Sequence, residues 1–207
     1  MKIIYGTKNK AKLEDMRKIL GGLDLEITGL SDTGVILPDV DESGNDPLKN
    51  AEIKALAYYK ILKMPVFSCD SGLFIEGLDE NIQPGVHVRR VNGIYMSDNE
   101  MIEYYSKLAG TFSGKCKARY RNAICLIADE KNIFSYSGDD ISGERFILSP
   151  FRHKIQTEGY PLDSISIHMK SGKYYVEMEE EKDSFGHEEG FRNFFEMVLK
   201  KIKLDWK

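Results

Sequence analysis

The hydrophobic period of this chain switches repeatedly between two residues and about 3.6, and a fold that mixes strands with helices is what buries such a pattern. Lys2 to Gly6 reads as a strand. From about Asn9 a helix follows, with Leu13, Met16, Ile19 and Leu20 on one stripe and Gly21-Gly22 as its stop. Leu23 to Leu30 suits a second strand. Asp46 ahead of Pro47 is an N-cap followed by a good first helical residue, and Leu48, Ala51, Ala55, Tyr59 and Leu62 recur at helical spacing until Pro65, predicting a helix over 46–63. "VFSCD" and "GLFIEGL" read as short apolar stretches flanking a turn, and Met101, Tyr104, Tyr105 and Leu108 mark a helix ending at Gly110. From Lys115 to about Ile147 the pattern is strand-rich, with "ICLIA" and "IFSYS" separated by the polar turn "DEKN". A strand pair near Ser164 to Val176 is expected before a final amphipathic helix carrying Phe191, Phe194, Phe195, Val198 and Leu199. There is no repeat, linker or clear boundary, so 207 residues with 42% hydrophobic content are expected to form one compact α/β unit.

Charge and cysteine usage narrow the function. A formal net charge of −4 and a pI near 5.7 supply no global basic field of the kind that draws nucleic-acid backbones or anionic membranes. The expected partner is a small soluble substrate, with neither nucleic acid nor membrane. "MKIIYGTKNK" carries no small-residue cleavage site, and nowhere do apolar residues run long enough to span a bilayer. Cys69, Cys116 and Cys125 are odd in number and lack metal-ligand spacing, which suits reduced thiols in a cytoplasm. The histidines at 87, 153, 168 and 187 are scattered, and no zinc site is readable.

Three stretches carry chemistry. In "GTKNKAK", Thr7, Asn9 and Lys12 follow a strand and open a helix, where free N–H groups and the dipole favour an anion and Lys12 adds a full charge. The same residues read equally as a helix cap with solvated lysines. In the second stretch Glu42 precedes a helix, Asn50 and Lys54 share one of its faces, and Asp70 in "CDSG" ends a buried-looking strand. Brought together, Glu42 and Asp70 would offer oxygen ligands to a hard cation such as Mg²⁺. The alternative is an ordinary solvated helix face beside ordinary surface acids. In the third stretch, "GKCKARYR", Lys115, Lys117, Arg119 and Arg121 alternate along a probable strand, as a phosphate-facing surface or as a solvated edge that discourages pairing.

Thr7-x-Asn9-x-x-Lys12, then "ESG" with "NAEIKA", then "DSGL" and "PGVHVRRVNG" follow one another as in one family. The chain resembles the Ham1-like inosine triphosphate pyrophosphatases, densely through residues 1 to 93 and more thinly to the last helix. The resemblance implies an elongated two-lobed α/β fold with a long central mixed β-sheet flanked by helices and a nucleotide cleft between the lobes. It also implies Mg²⁺-dependent hydrolysis of ITP, dITP and XTP to the monophosphate and pyrophosphate by a homodimer. Position by position, Thr7, Asn9 and Lys12 look like the phosphate-binding loop, Lys54 like a further phosphate contact, Glu42 like a metal ligand and Asp70 like the catalytic carboxylate and a second ligand. Asn50 would support the loop, Ser71 continues the matching turn, and Arg90 falls at the family's "PG…AR" arginine.

The chain also departs from that pattern. Cys69 replaces an acid before the catalytic Asp and cannot be a hard oxygen ligand; it reads as a small core residue or a reactive thiol. "GYPLDS" stands for the family's "GFGYDP", which puts Tyr160 at the aromatic that stacks on the base and Asp163 beside it. Read without the family, "GYPLDS" is a turn leading into a strand. Lys182 and His187 match base-binding positions, while Gly186 and Glu188 stand where the family carries Ser and Arg. Two other functions therefore stay open: a pyrophosphatase for a different ordinary or damaged nucleotide, and a nucleotide-binding protein with little turnover.

Overall fold

The computed structural model describes residues 1–40, 44, 46–91, 93–113, 116–178 and 187–205, with side chains to 203. The strands are β1 (Lys2–Tyr5), β2 (Glu26–Gly29), β3 (Val66–Ile75), β4 (Arg90–Val91), β5 (Ile94–Tyr95), β6 (Cys116–Ile127), β7 (Ile133–Tyr136), β8 (Phe146–Leu148) and β9 (Ser166–His168). The helices are α1 (Lys10–Ile19), α2 (Pro47–Leu62), α3 (Asp98–Gly110) and α4 (Glu188–Asp205). Among the described residues seven strands form one mixed sheet in the order β2-β1-β3-β6-β8-β9, with β7 also against β6. β1 runs parallel to β2 and β3, whereas β3, β6, β7, β8 and β9 pair antiparallel. β4 and β5 make a separate hairpin.

Two strands give the molecule its length. β3 and β6 are paired without interruption from Val66↔Ile127 to Ile75↔Ala118, and the 12 residues of β6 extend roughly 40 Å at about 3.3 Å per residue. On one face of this ribbon, α1 and α4 bury Phe67, Ile124 and Leu126 together with Leu13, Met16, Phe194, Phe195 and Val198. Further along the same face, α3 buries Leu73, Ile75, Cys116 and Ala118 with Met101, Ile102 and Tyr105. On the opposite face α2 covers only the first half, setting Ala51 and Ala55 on Cys125 and Ile127, and Tyr58 on Ile4 and Val66. The core under α1 and α4 and the core under α3 thus follow one another along a single sheet.

Most elements follow from local sequence. Asn9 caps α1 by accepting from Ala11 N and Lys12 N, and Asp46 caps α2 by accepting from Leu48 N and Lys49 N with Pro47 in the first turn. Ser97 and Glu100 form a capping box on α3. Three expectations are corrected. "VFSCD" and "GLFIEGL" are not split by a turn: they join in β3, because β6 offers a partner to every residue from 66 to 75. Asp70 accordingly lies mid-strand rather than at a strand end. The pair expected over 164–176 is the single strand β9, flanked by 3-10 turns at Pro161–Ile165 and Tyr175–Glu177. Of the basic residues, Lys117 belongs to no edge, since β8 pairs with it and Glu76 N bonds its carbonyl; Arg119 and Arg121 pair with β3 and lie between the stretches of β6 that β8 and β7 take up, 116–118 and 124–127, while Lys115 lies outside the described residues.

Candidate active site

β1 stops at Tyr5, opposite Phe67, and Gly6 N makes the last ladder bond to Phe67 O at 2.7 Å. β3 continues. On its β1 side the next backbone partner is Gly85, which exchanges bonds of 2.8 and 2.9 Å with Leu73. Between Phe67 and Leu73 the sheet therefore has a notch beyond the carboxyl end of a parallel strand, where α/β sheets place their ligands. Gly6 makes the notch possible, because a Cβ there would collide with Ser68 Oγ and come within 2.8 Å of the Tyr58 ring. Asp70 stands in the notch.

Its side chain faces α2, and two residues one turn apart on that helix meet it. Lys54 Nζ donates to Asp70 Oδ1 at 2.8 Å, and Asn50 Nδ2 donates to Asp70 Oδ2 at 3.1 Å. The other end of the Asn50 amide accepts from Gly44 N at 3.0 Å, which fixes the orientation of the amide and ties the loop before α2 to the cluster. Asn50, Lys54 and Asp70 are all buried. The solvated-face reading of Asn50 and Lys54 is thus wrong, and the reason is tertiary: the α2 face that meets β3 encounters a carboxylate, and a charge taken out of water needs a hydrogen-bonded partner of opposite sign.

The neighbouring positions point elsewhere. Cys69 and Ser71 alternate with Asp70 and lie on the α1 side of β3. Burial pushes the Cys69 thiol up to about 12, against the smaller downward pulls of a hydrogen bond with Tyr5 and of the Lys12 and Lys54 charges. The thiol is inert near neutrality. Both ammonium groups act on this one position, so Lys12 on α1 and Lys54 on α2 flank β3 at the notch. Thr7 Oγ1 accepts from Asn9 N at 3.2 Å, tightening the turn into α1. Asn9 fulfils the capping reading, and it also donates to Gly159 O at 3.2 Å, closing that segment over the start of α1.

Next to Gly159, Tyr160 donates its hydroxyl to Asp15 Oδ2 at 2.6 Å. Burial and this carboxylate both hold the phenol protonated. Asp163 acts electrostatically on Tyr160, Tyr120 and Tyr175, placing it among these three rings. His187 precedes α4, meets Phe191 edge-to-face, and has a buried Nδ1 without a hydrogen-bond partner among the described residues. Arg90 is exposed on β4, whereas its neighbour Arg89 pairs with Asp98 at 2.6 Å. Glu42 and Lys182 lie outside the described residues, as does Gly186. Among the described residues no three His, Cys, Asp or Glu side chains gather as a metal group. Within the Asp70, Lys54 and Asn50 cluster, the carboxylate is a hard oxygen donor of the type Mg²⁺ takes in ones and twos alongside waters and phosphates.

Residues 3–196 match the Ham1 family. The chain belongs to the Ham1 family. A dITP/XTP pyrophosphatase from Thermoanaerobacter sp. (strain X514) is 32% identical over 193 residues, covering 90% of each protein. One from Thermoanaerobacter pseudethanolicus is 35% identical over 134 residues, which is 63% of this chain and 65% of that protein. Among solved structures, a HAM1 protein from Coxiella burnetii superposes with a TM-score of 0.74 at 22% identity, over 98% of this chain and 99% of that one. The Staphylococcus aureus Ham1 protein gives 0.72 at 22% identity, over 97% and 99%. These two likenesses establish a shared mixed-sheet α/β fold.

Within this Ham1-family chain, the sequence pattern marks the cluster residues but not those that position them. Asp15, which anchors Tyr160, is one more acid on a helix and lies 145 residues away in the chain. Tyr5, which bonds Cys69, reads as an ordinary strand aromatic. Gly44 carried a signal, since a small residue beside the cap of α2 leaves space: a Cβ there would lie 2.6 Å from Asn50 Oδ1.

Proposed function

We propose that the chain is a Mg²⁺-dependent nucleoside triphosphate pyrophosphatase acting on deaminated purine nucleotides and releasing the monophosphate and pyrophosphate. The observation that carries this reading is the buried Asp70, Lys54 and Asn50 cluster set in the sheet notch opposite the start of α1. Membership of the Ham1 family and relatives named dITP/XTP pyrophosphatase support it. In this reading Lys12 and the turn from Thr7 to Asn9 bind phosphate oxygens. Asp70 orients the attacking water and draws its proton, while Asn50 and Lys54 fix the carboxylate rotamer. Breaking a phosphoric anhydride asks for positioning and charge compensation rather than a protein nucleophile, so the inert Cys69 thiol has no part.

The metal belongs to the same proposal. Asp70 and Glu42, two residues ahead of Gly44, are the hard oxygen donors that would hold it, and Cys69 is the wrong ligand type. When bound, Mg²⁺ offsets phosphate charge and polarises the anhydride. On the other side of the sheet, Tyr160 would stack on the base, with Asp163, Lys182 and His187 reading its edge. The unpartnered Nδ1 of His187 is a group that a base could satisfy. Glu188 opens α4, where an acid suits the helix dipole. A purine-selecting arginine is missing from that position, so the ITP-to-ATP preference is expected to be weak and to rise in Glu188→Arg. Assembly as a homodimer completes the proposal and is checked by sedimentation.

The test is pyrophosphate release across a panel of dITP, ITP, XTP, ATP and GTP, with and without Mg²⁺. Turnover of the deaminated nucleotides is expected to require the metal, and Asp70→Asn is expected to lower kcat by about 10²–10⁴-fold, the range for losing a positioned base. A wild-type chain that binds these nucleotides without turnover, or an Asp70→Asn protein of near-normal rate, overturns the reading.

A further inference from the structure

The row of side chains that contains Asp70 continues past the end of α2. Asp70 is paired with Ala123, and the next pair on that face is Gly72 with Arg121. Cross-strand partners, and residues two apart along a strand, project to one side of the sheet. Arg121 therefore lies on the face of Asp70, diagonal to it, at roughly 7–8 Å between backbones. The first turn of α2 ends the cover at Asn50, and Arg121 beyond it is exposed.

Three features distinguish Arg121 from an ordinary surface arginine. Its guanidinium lies 4.4 Å from the centre of the Phe74 ring. Stacking fixes the group in place without using its N–H donors. The opposing residue is Gly72, where a Cβ would come within 2.9 Å of the Phe74 ring, so the missing side chain is what lets that ring lie along the sheet as a platform. Among the described residues no carboxylate pairs with Arg121, although other arginines near it are paired: Arg119 with Asp139 at 2.9 Å and Arg145 with Glu76 at 2.7 Å.

The charge balance of the notch gives this arginine a use. The ammonium of Lys54 is matched by Asp70 at 2.8 Å, so the cluster itself offers little net positive charge to a polyphosphate. Asp163 acts on Tyr160 and on Tyr120, which alternates with Arg121 and so lies on the opposite face. A nucleotide whose base lies on that side and whose chain crosses the notch at Asp70 presents its far phosphates to Arg121. A planar guanidinium matches two phosphate oxygens at once.

We propose that Arg121 is a further substrate-binding residue, holding the terminal phosphates of the nucleotide and the pyrophosphate split from them. The ligand assignment rests on the pyrophosphatase reading above. The test uses the full chain and two readouts, calorimetric binding of inorganic pyrophosphate and steady-state kinetics on dITP, with IMP as a competing ligand that lacks the far phosphates. Arg121→Gln is expected to weaken pyrophosphate binding and raise the KM for dITP by about tenfold, as for one charge-assisted contact. Inhibition by IMP should stay within about twofold. Arg121→Lys should fall between, keeping charge but not the fork, and Arg145→Gln should behave as wild type. Unchanged pyrophosphate binding in Arg121→Gln, or equal losses for pyrophosphate and IMP, overturns the proposal. A wild-type chain that binds pyrophosphate through Arg121 yet hydrolyses no nucleotide overturns the pyrophosphatase reading and leaves this assignment standing.

Discussion

The two halves of β6 are made of the same backbone ladder but live in different surroundings. From Ala123 to Ile127 every residue is buried, because α4 and α1 cover one face while α2 covers the other. From Cys116 to Arg121 buried Cys116 and Ala118 alternate with exposed Lys117 and Arg121, because α3 covers one face and no helix among the described residues covers the second. A strand covered on both faces reads as a continuous apolar run, and one covered on a single face alternates. Asp70 lies at the boundary, opposite Ala123, where the cover of α2 ends. The difference explains how a carboxylate can be buried enough to be held rigidly and still stand at the mouth of a cleft.

The comparison is sharpest with the two phenylalanines of β3. Phe67, fully buried between Tyr5 and Phe195, is expected to cost about 3–5 kcal/mol when changed to Ala, read as the midpoint shift in urea unfolding. Next comes the boundary itself. Lys54→Met leaves the buried Asp70 carboxylate without its cation and is expected to lose about 3 kcal/mol, a part of which the double variant with Asp70→Asn recovers. An unchanged midpoint in the single variant would mean that Asp70 is hydrated and that the boundary lies elsewhere. Asn9→Ala removes the α1 cap and the link to Gly159, for about 1–2 kcal/mol and a rise in the KM for dITP. The smallest effect is expected from Phe74→Ala, no more than about 1 kcal/mol, since that ring lies on the half-open face. Equal costs at Phe67 and Phe74 would erase the distinction between the halves.

The sequence alone determined the elements whose signals are local. Caps at Asn9 and Asp46, the alternation in "CKARYR", the run in "ICLI" and the stripe of α4 all rest on neighbours within a few residues, and the structure repeats them. It also presented Asp70, Asn50 and Lys54 as a group through their likeness to a family. Tertiary structure decided what those residues are. Whether Asn50 and Lys54 faced water or a carboxylate depended on β3 lying beneath α2, a contact across 16 to 20 residues that no helical periodicity encodes. The continuity of β3 through Gly72 was likewise hidden, because a glycine weakens a strand locally and only the long partner β6 outweighs it. The side of the sheet on which each residue falls, Asp70 and Arg121 on one and Cys69 and Tyr120 on the other, follows from a register with no bulge along its length. Register is set by two strands together, so neither strand's sequence could specify it alone.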